Sequence, residues 1–208
     1  MKISLVNFLA LLLAVVFTSC GEAPSTTSET AEETTATTSE EGAGSETVLS
    51  GDNFEVVITD GEASSPRKQL TGTAAGAAVT IDYGSPFVKG RTIWGDLVPY
   101  DKVWRTGANA ATTIEFAADV TIEGQPLAAG KYALFTIPGM ESWQVVFNTT
   151  TDQWGSGSYD EANNALVVTV TPQAREEMAE SMDFTLDGDA VVLHWERLMV
   201  PFTVGAAQ

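Results

Sequence analysis

From Phe54 onward the chain runs in short segments rich in Val, Ile, Thr, Phe, Tyr and Trp, broken about every ten residues by Gly, Pro or Asp. Segments of this kind pair into sheets, so the expectation is all-β: a single β-sandwich, jelly-roll or immunoglobulin-like. Predicted strands are Phe54–Thr59, Arg67–Gly72, Ala77–Tyr83, Lys102–Thr106, Thr112–Ala117, Val120–Ile122, Lys131–Ile137, Trp143–Asn148, Ala165–Thr171, Met182–Leu186, Ala190–Glu196 and Met199–Val204. Glu123-Gly124 and Asp187-Gly188 supply the positive φ that tight hairpins need. Alternation puts Val191, Leu193 and Trp195 on one face and Val192, His194 and Glu196 on the other. One short helix is expected near the C-terminal part, over Gln173 to Met182, with Pro172 in a helix-opening position. The span 52–208 is long enough for one hydrophobic core and too short for two generous ones.

The first 51 residues do not share this rhythm. Lys2, the apolar stretch Leu5 to Phe17 and the closing Phe17-Thr18-Ser19-Cys20 read as a lipoprotein signal peptide over 1–19, with Cys20 as the lipidated residue. The stretch is too short for a transmembrane helix, which needs about 20 apolar residues. The mature chain is therefore expected to be anchored to the membrane by its N-terminal lipid. Residues 20–51 form an acidic Ser/Thr/Glu-rich tether that has too little apolar surface to fold. Its glutamates Glu22, Glu29, Glu32, Glu33, Glu40, Glu41 and Glu46 meet no Lys or Arg, and their repulsion extends it. Gly21 after the cysteine does not resemble an inner-membrane retention residue. The expected place is the outer membrane, on its periplasmic or cell-surface face.

Charge and cysteine content exclude whole classes of function. The net charge is −18, and from Arg67 onward 17 acids stand against 9 bases. Such a surface repels phosphate backbones, so nucleic acid is not a partner. Cys20 is the only cysteine, which leaves the folded part without disulfides, thiolate metal sites or cysteine nucleophiles. The single histidine, His194, does not supply the several His or Cys ligands on which tetrahedral zinc sites draw. No cofactor and no metal is expected.

The interrupted segment from Pro86 to Asn109 concentrates large side chains, with Arg91 and Arg105 flanking Trp94 and Trp104. Planar donors beside aromatic faces suit a carboxylate, a sugar or a peptide backbone. The structural alternative is that these arginines pair with Asp82, Asp96 or Asp101 and tie the loop down. Asn109 either contacts ligand or caps the turn after Gly107-Ala108 through its side chain. Trp154, in a Gly/Ser-rich loop, is either a second aromatic platform or a plug at the sandwich end. His194, oriented by Glu196 on the same strand face, is the residue a hydrolase or isomerase would use.

The run Gly90-Arg91-Thr92-Ile93-Trp94-Gly95-Asp96-Leu97-Val98-Pro99-Tyr100 is followed by Val103-Trp104-Arg105-Thr106-Gly107-Ala108-Asn109 and by Ala129-Gly130-Lys131-Tyr132-Ala133-Leu134-Phe135-Thr136-Ile137-Pro138. Together with Trp143, Phe147-Asn148, Trp154-Gly155, Tyr159 and Leu193-His194-Trp195-Glu196, these closely resemble the bacterial domain-of-unknown-function family numbered 2911. The resemblance runs from about Ser65 to Val204. It implies an exported protein or lipoprotein and carries no activity or catalytic residue. The expected function is a lipid-anchored binding module. Its ligand, a small polar molecule, glycan or peptide, would be held by Arg91, Trp94, Trp104, Arg105, Asn109 and Trp154. The alternatives are an envelope hydrolase or isomerase built on His194 and Glu196, and a purely structural interaction domain.

Overall fold

A computed structural model describes residues 46–207. The signal segment, Cys20 and the tether up to residue 45 lie outside the described residues. The first sheet takes its strands from the described chain up to Val170. They are β1 (Thr47–Gly51), β2 (Phe54–Asp60), β3 (Arg67–Ala74), β4 (Ala77–Gly84), β5 (Thr112–Phe116), β8 (Gly130–Ile137), β9 (Trp143–Asn148) and β10 (Asn164–Val170). The second sheet is formed by β6 (Val120–Ile122), β7 (Gln125–Leu127), β11 (Gln173–Asp187) and β12 (Ala190–Ala206). Their orders are β1-β2-β3-β4-β5-β8-β9-β10 and β11-β12-β6-β7, and neighbours run antiparallel throughout. The fold is an all-β sandwich.

Period-two burial explains how the sheets close on each other. On β4, Val79, Ile81 and Tyr83 are buried, and Val191, Leu193 and Trp195 are buried on β12, as the alternation predicts. Rings interlock between the layers, with Tyr83 edge-on to Phe184 at 5.0 Å and Phe147 edge-on to Phe202 at 5.8 Å. A second, smaller cluster of Ala111, Ala133, Phe135 and Val146, packed against Val103 and Tyr159, covers the other face of β8 and β9. Loops therefore bury part of the first sheet on both sides. The hairpin signals hold: Glu123 and Gly124 have φ of 48° and 77° between β6 and β7, and Gly188 has φ of 58° between β11 and β12.

Four local expectations are corrected. The helix expected over Gln173 to Met182 is instead part of strand β11, and the one helical turn among the described residues is the 3-10 turn Glu161–Asn163. Its backbone is claimed from both sides. Ala174 and Ala179 pair with Leu198 and Glu196, Val88 N donates to Glu180 O at 2.8 Å and Met182 N donates to Pro86 O at 2.9 Å. Two register shifts accommodate this, and tertiary pairing overrides local helix preference. Lys102–Thr106 is not a strand, since Trp104 makes only an isolated bridge to Thr136. The two strands expected at 190–204 are one, passing through Glu196 at φ 54°. Finally, β1 lies inside the segment assigned to the tether, so pairing begins at Thr47 and not at 52.

Lys68 and Asp183 join the sheets electrostatically. The Lys68 Nζ lies 2.6 Å from Asp183 Oδ1, which also accepts from the Tyr83 hydroxyl at 3.0 Å, while Ser181 Oγ donates to Asp183 Oδ2. Lys68 is buried, so removing its partner would strand a cation. Asp183→Ala is expected to lose about 3–5 kcal/mol, read from urea denaturation. The double variant Lys68→Met/Asp183→Leu should recover most of that loss, because the desolvation cost goes with the pair.

Candidate functional site

The loop between β4 and β5 is long but closely fastened. Asp101 N donates to Pro138 O at 2.8 Å, Trp104 and Thr136 exchange backbone bonds at 2.8 and 2.9 Å, and Ala111 N donates to Gln153 O at 2.9 Å. Lys89, Asp101, Thr106 and Asn109 all take left-handed backbone conformations, with φ between 48° and 63°. At Gly84 the loop passes so close that a Cβ would stand 2.2 Å from Ala108 O. Only glycine allows this approach.

The sequence places a tryptophan wherever loop and sheets meet. Trp94 lies edge-on to Trp143 of β9 at 4.9 Å and to Trp195 of β12 at 5.6 Å. Trp104 stacks on Trp195 at 5.7 Å, with an interplanar angle of 18°. Trp104 is 8% exposed and its indole N–H donates to Gly107 O at 3.2 Å. These two rings plug the sandwich, and neither is an open platform. Trp94 lies outside the cavity described next, a departure from the expected ligand face.

Beside this plug is a cavity of about 310 Å³, lined by Arg91, Arg105, Asn109, Leu97 and the rings of Trp104 and Trp195, among others. Four of the residues expected to bind ligand therefore meet in one concavity: Arg91, Trp104, Arg105 and Asn109. No acidic side chain lines it. The two ion pairs among the described residues are Arg67–Asp82 and Lys68–Asp183, so Asp82, Asp96 and Asp101 do not neutralise Arg91 or Arg105. Arg91 is held by carbonyls, its Nε donating to Val88 O at 3.1 Å and its Nη2 to Phe87 O. Arg105 is half-buried and its Nε has no hydrogen-bond partner among the described residues. Burial pulls its pKa below the usual guanidinium value. Asn109 is exposed and reaches the turn through its own backbone at φ 63°; no hydrogen bond of its side chain caps it among the described residues.

Arg67 illustrates the paired alternative. Its guanidinium bonds Asp82 and reaches Ala110 O at 3.2 Å and Ala111 O at 3.4 Å, so it clamps the end of the site loop. Sequence reading did not single it out, because a diagonal neighbour on β4, where Asp82 stands opposite Gln69, is invisible until β3 and β4 are paired. Trp154 is the reverse of a plug: it is 76% exposed, and an isolated bridge joins its backbone to Ala110.

His194 and Glu196 belong elsewhere. His194 lines a separate cleft of about 370 Å³ with Arg175, Ser181, Asp183 and Thr185. Its Nε2 lies 2.7 Å from Thr185 Oγ1, and its Nδ1 is buried with no partner among the described residues. Glu196, at a strand irregularity opposite Ala179, makes no hydrogen bond to the ring among the described residues. Burial, reinforced by Arg175 and opposed by Asp183 and Asp187, lowers the imidazole pKa to about 4. No group of three or more His, Asp or Glu among the described residues is placed to hold a metal ion. No helix of the described residues is long and apolar enough to cross a membrane.

The family model described as protein of unknown function (DUF2911) matches residues 65–204, and the chain belongs to that family. No curated protein and no solved structure matches it.

The folded imidazole binds its proton more weakly than the unfolded one. The unfolded chain takes up a proton first as pH falls through 6.5, so stability drops between pH 6.5 and about 4. Allowing for solvent screening, His194 should contribute a loss of about 1–2 kcal/mol across that window. Unfolding free energies from urea titrations at pH 7 and pH 4.5 should differ less in His194→Gln than in the wild type, by that amount.

Proposed function

We propose that this member of the DUF2911 family is a binding module that takes a small carboxylate into the cavity between Arg91 and Arg105. One observation supports this reading most strongly. In a domain with an acid excess, two guanidiniums line one cavity that has no acidic lining, and the Nε of Arg105 is buried without a partner. Leaving a buried donor unpaired costs about 1–3 kcal/mol. A carboxylate in the cavity would accept from the outer N–H groups of the guanidinium in two parallel bonds. The Trp104 and Trp195 walls then meet the apolar body of the ligand. In this reading Cys20 carries the lipid, the glutamate-rich tether holds the domain off the outer membrane, and the module works in the envelope.

The catalytic alternative has one observation in its favour, since His194 does line an open cleft. With its pKa near 4, however, it is a weak base at neutral pH, and its Nε2 is already engaged by Thr185. A purely structural role would call for a continuous exposed apolar patch.

The test is a thermal-shift screen of the full chain against acetate, benzoate, succinate and glucuronate, with Arg105→Gln and Arg105→Lys alongside. A bound carboxylate should raise the midpoint of the wild type, by about 2.7 kcal/mol of stabilisation at a hundredfold excess over Kd. Arg105→Gln should abolish the rise while keeping a cooperative transition. Arg105→Lys should retain only part of it, because a point charge lacks the fork. No rise with any carboxylate would refute the reading.

A further inference from the structure

Trp154 has no part in the cavity itself, yet its surroundings tie it to the cavity. Among the described residues it is the aromatic side chain most open to water, 76% exposed, on a backbone that is fixed on both sides. Gln153, only 4% exposed, gives its carbonyl to Ala111 N at 2.9 Å and bonds Thr150 O through its side chain at 2.6 Å. Gly155, left-handed at φ 77°, donates its N–H to the carbonyl of Asn109 at 3.1 Å. Asn109 lines the cavity, and Ala110 forms the bridge with Trp154. An indole is thus mounted one residue away from the cavity lining, on a rigid seat, and left in water. Burial would ordinarily stabilise such a ring by an amount that grows with its large apolar area.

We infer that the ligand is an acidic saccharide, with the carboxylate of one unit held in the Arg91/Arg105 cavity and a neighbouring ring lying on Trp154; this rests on the carboxylate reading above. The cavity, about 310 Å³, is at the lower end of ligand-site volumes and has room for one ring. A longer ligand must leave it, and Asn109 with Trp154 stands on one side. A pyranose presents a flat C–H face that fits an indole without needing further donors.

The experiment is calorimetric titration of the full chain with tri-galacturonate, tri-mannuronate and a hyaluronan tetrasaccharide. Comparison probes are the matching monomeric uronates, methyl-esterified tri-galacturonate, acetate, and the peptide Gly-Gly-Phe with a free carboxylate. At least one acidic oligosaccharide should bind about tenfold tighter than its monomer. Trp154→Ala should bring the oligomer down to the monomer's affinity and leave the monomer unchanged. Arg105→Gln, and methyl esterification of the ligand, should remove binding of both. Monomers that bind with no gain in the oligomer, or a gain that survives Trp154→Ala, would overturn the saccharide inference and leave the carboxylate site standing. Binding of the peptide but of no saccharide would do the same. If no probe binds, acetate included, both readings fall together.

Discussion

The contact among Trp94, Trp104, Trp143 and Trp195 is the interaction on which the site depends. Trp143 comes from the first sheet and Trp195 from the second, while Trp94 and Trp104 come from the loop between β4 and β5. Their rings meet edge-on or stacked at centroid distances of 4.9 to 6.5 Å. Such pairs add to the area they bury, and here they also convert a long connection into a fixed wall. The loop does not need secondary structure to be rigid. Its shape is set by indoles, by left-handed turns at Lys89, Asp101, Thr106 and Asn109, and by the close passage of Ala108 over Gly84.

Two kinds of cation follow from that scaffold. Arg67 and Lys68 leave β3 at successive positions and point to opposite faces, and each finds a carboxylate. Arg91 and Arg105 leave the loop toward its cavity and find none among the described residues. The distinction matters because net charge alone would describe the whole domain as repelling anions. Local placement sets two guanidiniums at one cavity without a lining acid, and the partly buried guanidinium of Arg105 is less screened by solvent than a surface arginine.

Much of the fold was legible because sheet pairing follows side-chain alternation. Val120–Ile122 and Trp143–Asn148 match their expected bounds, and the Glu123-Gly124 hairpin lies where its turn chemistry required. Gln173 to Met182 failed for a physical reason: its polar, helix-compatible residues carry no record of the backbone groups of Pro86, Val88 and β12 that claim it as a strand. The site was legible by composition and not by arrangement. The density of Arg and Trp marked the loop that lines the cavity, yet which indoles face inward depends on where Trp143 and Trp195 stand. Lys68, Tyr83 and Asp183 were missed because more than a hundred residues separate Lys68 from its carboxylate. Trp154 was ambiguous in the sequence because exposure is settled by what packs over a loop.

The Arg105 guanidinium either receives an anion from the cavity or serves only as part of the cavity wall. The direct measurement is the side-chain Nε–Hε resonance of each arginine in the full chain, followed by ¹⁵N-correlated NMR during an acetate titration. The Arg105 signal should move and saturate with added acetate while that of Arg67, already bound to Asp82, stays in place. An Arg105 signal that does not move, or one that shifts linearly with salt like exposed Arg197, would contradict the central claim.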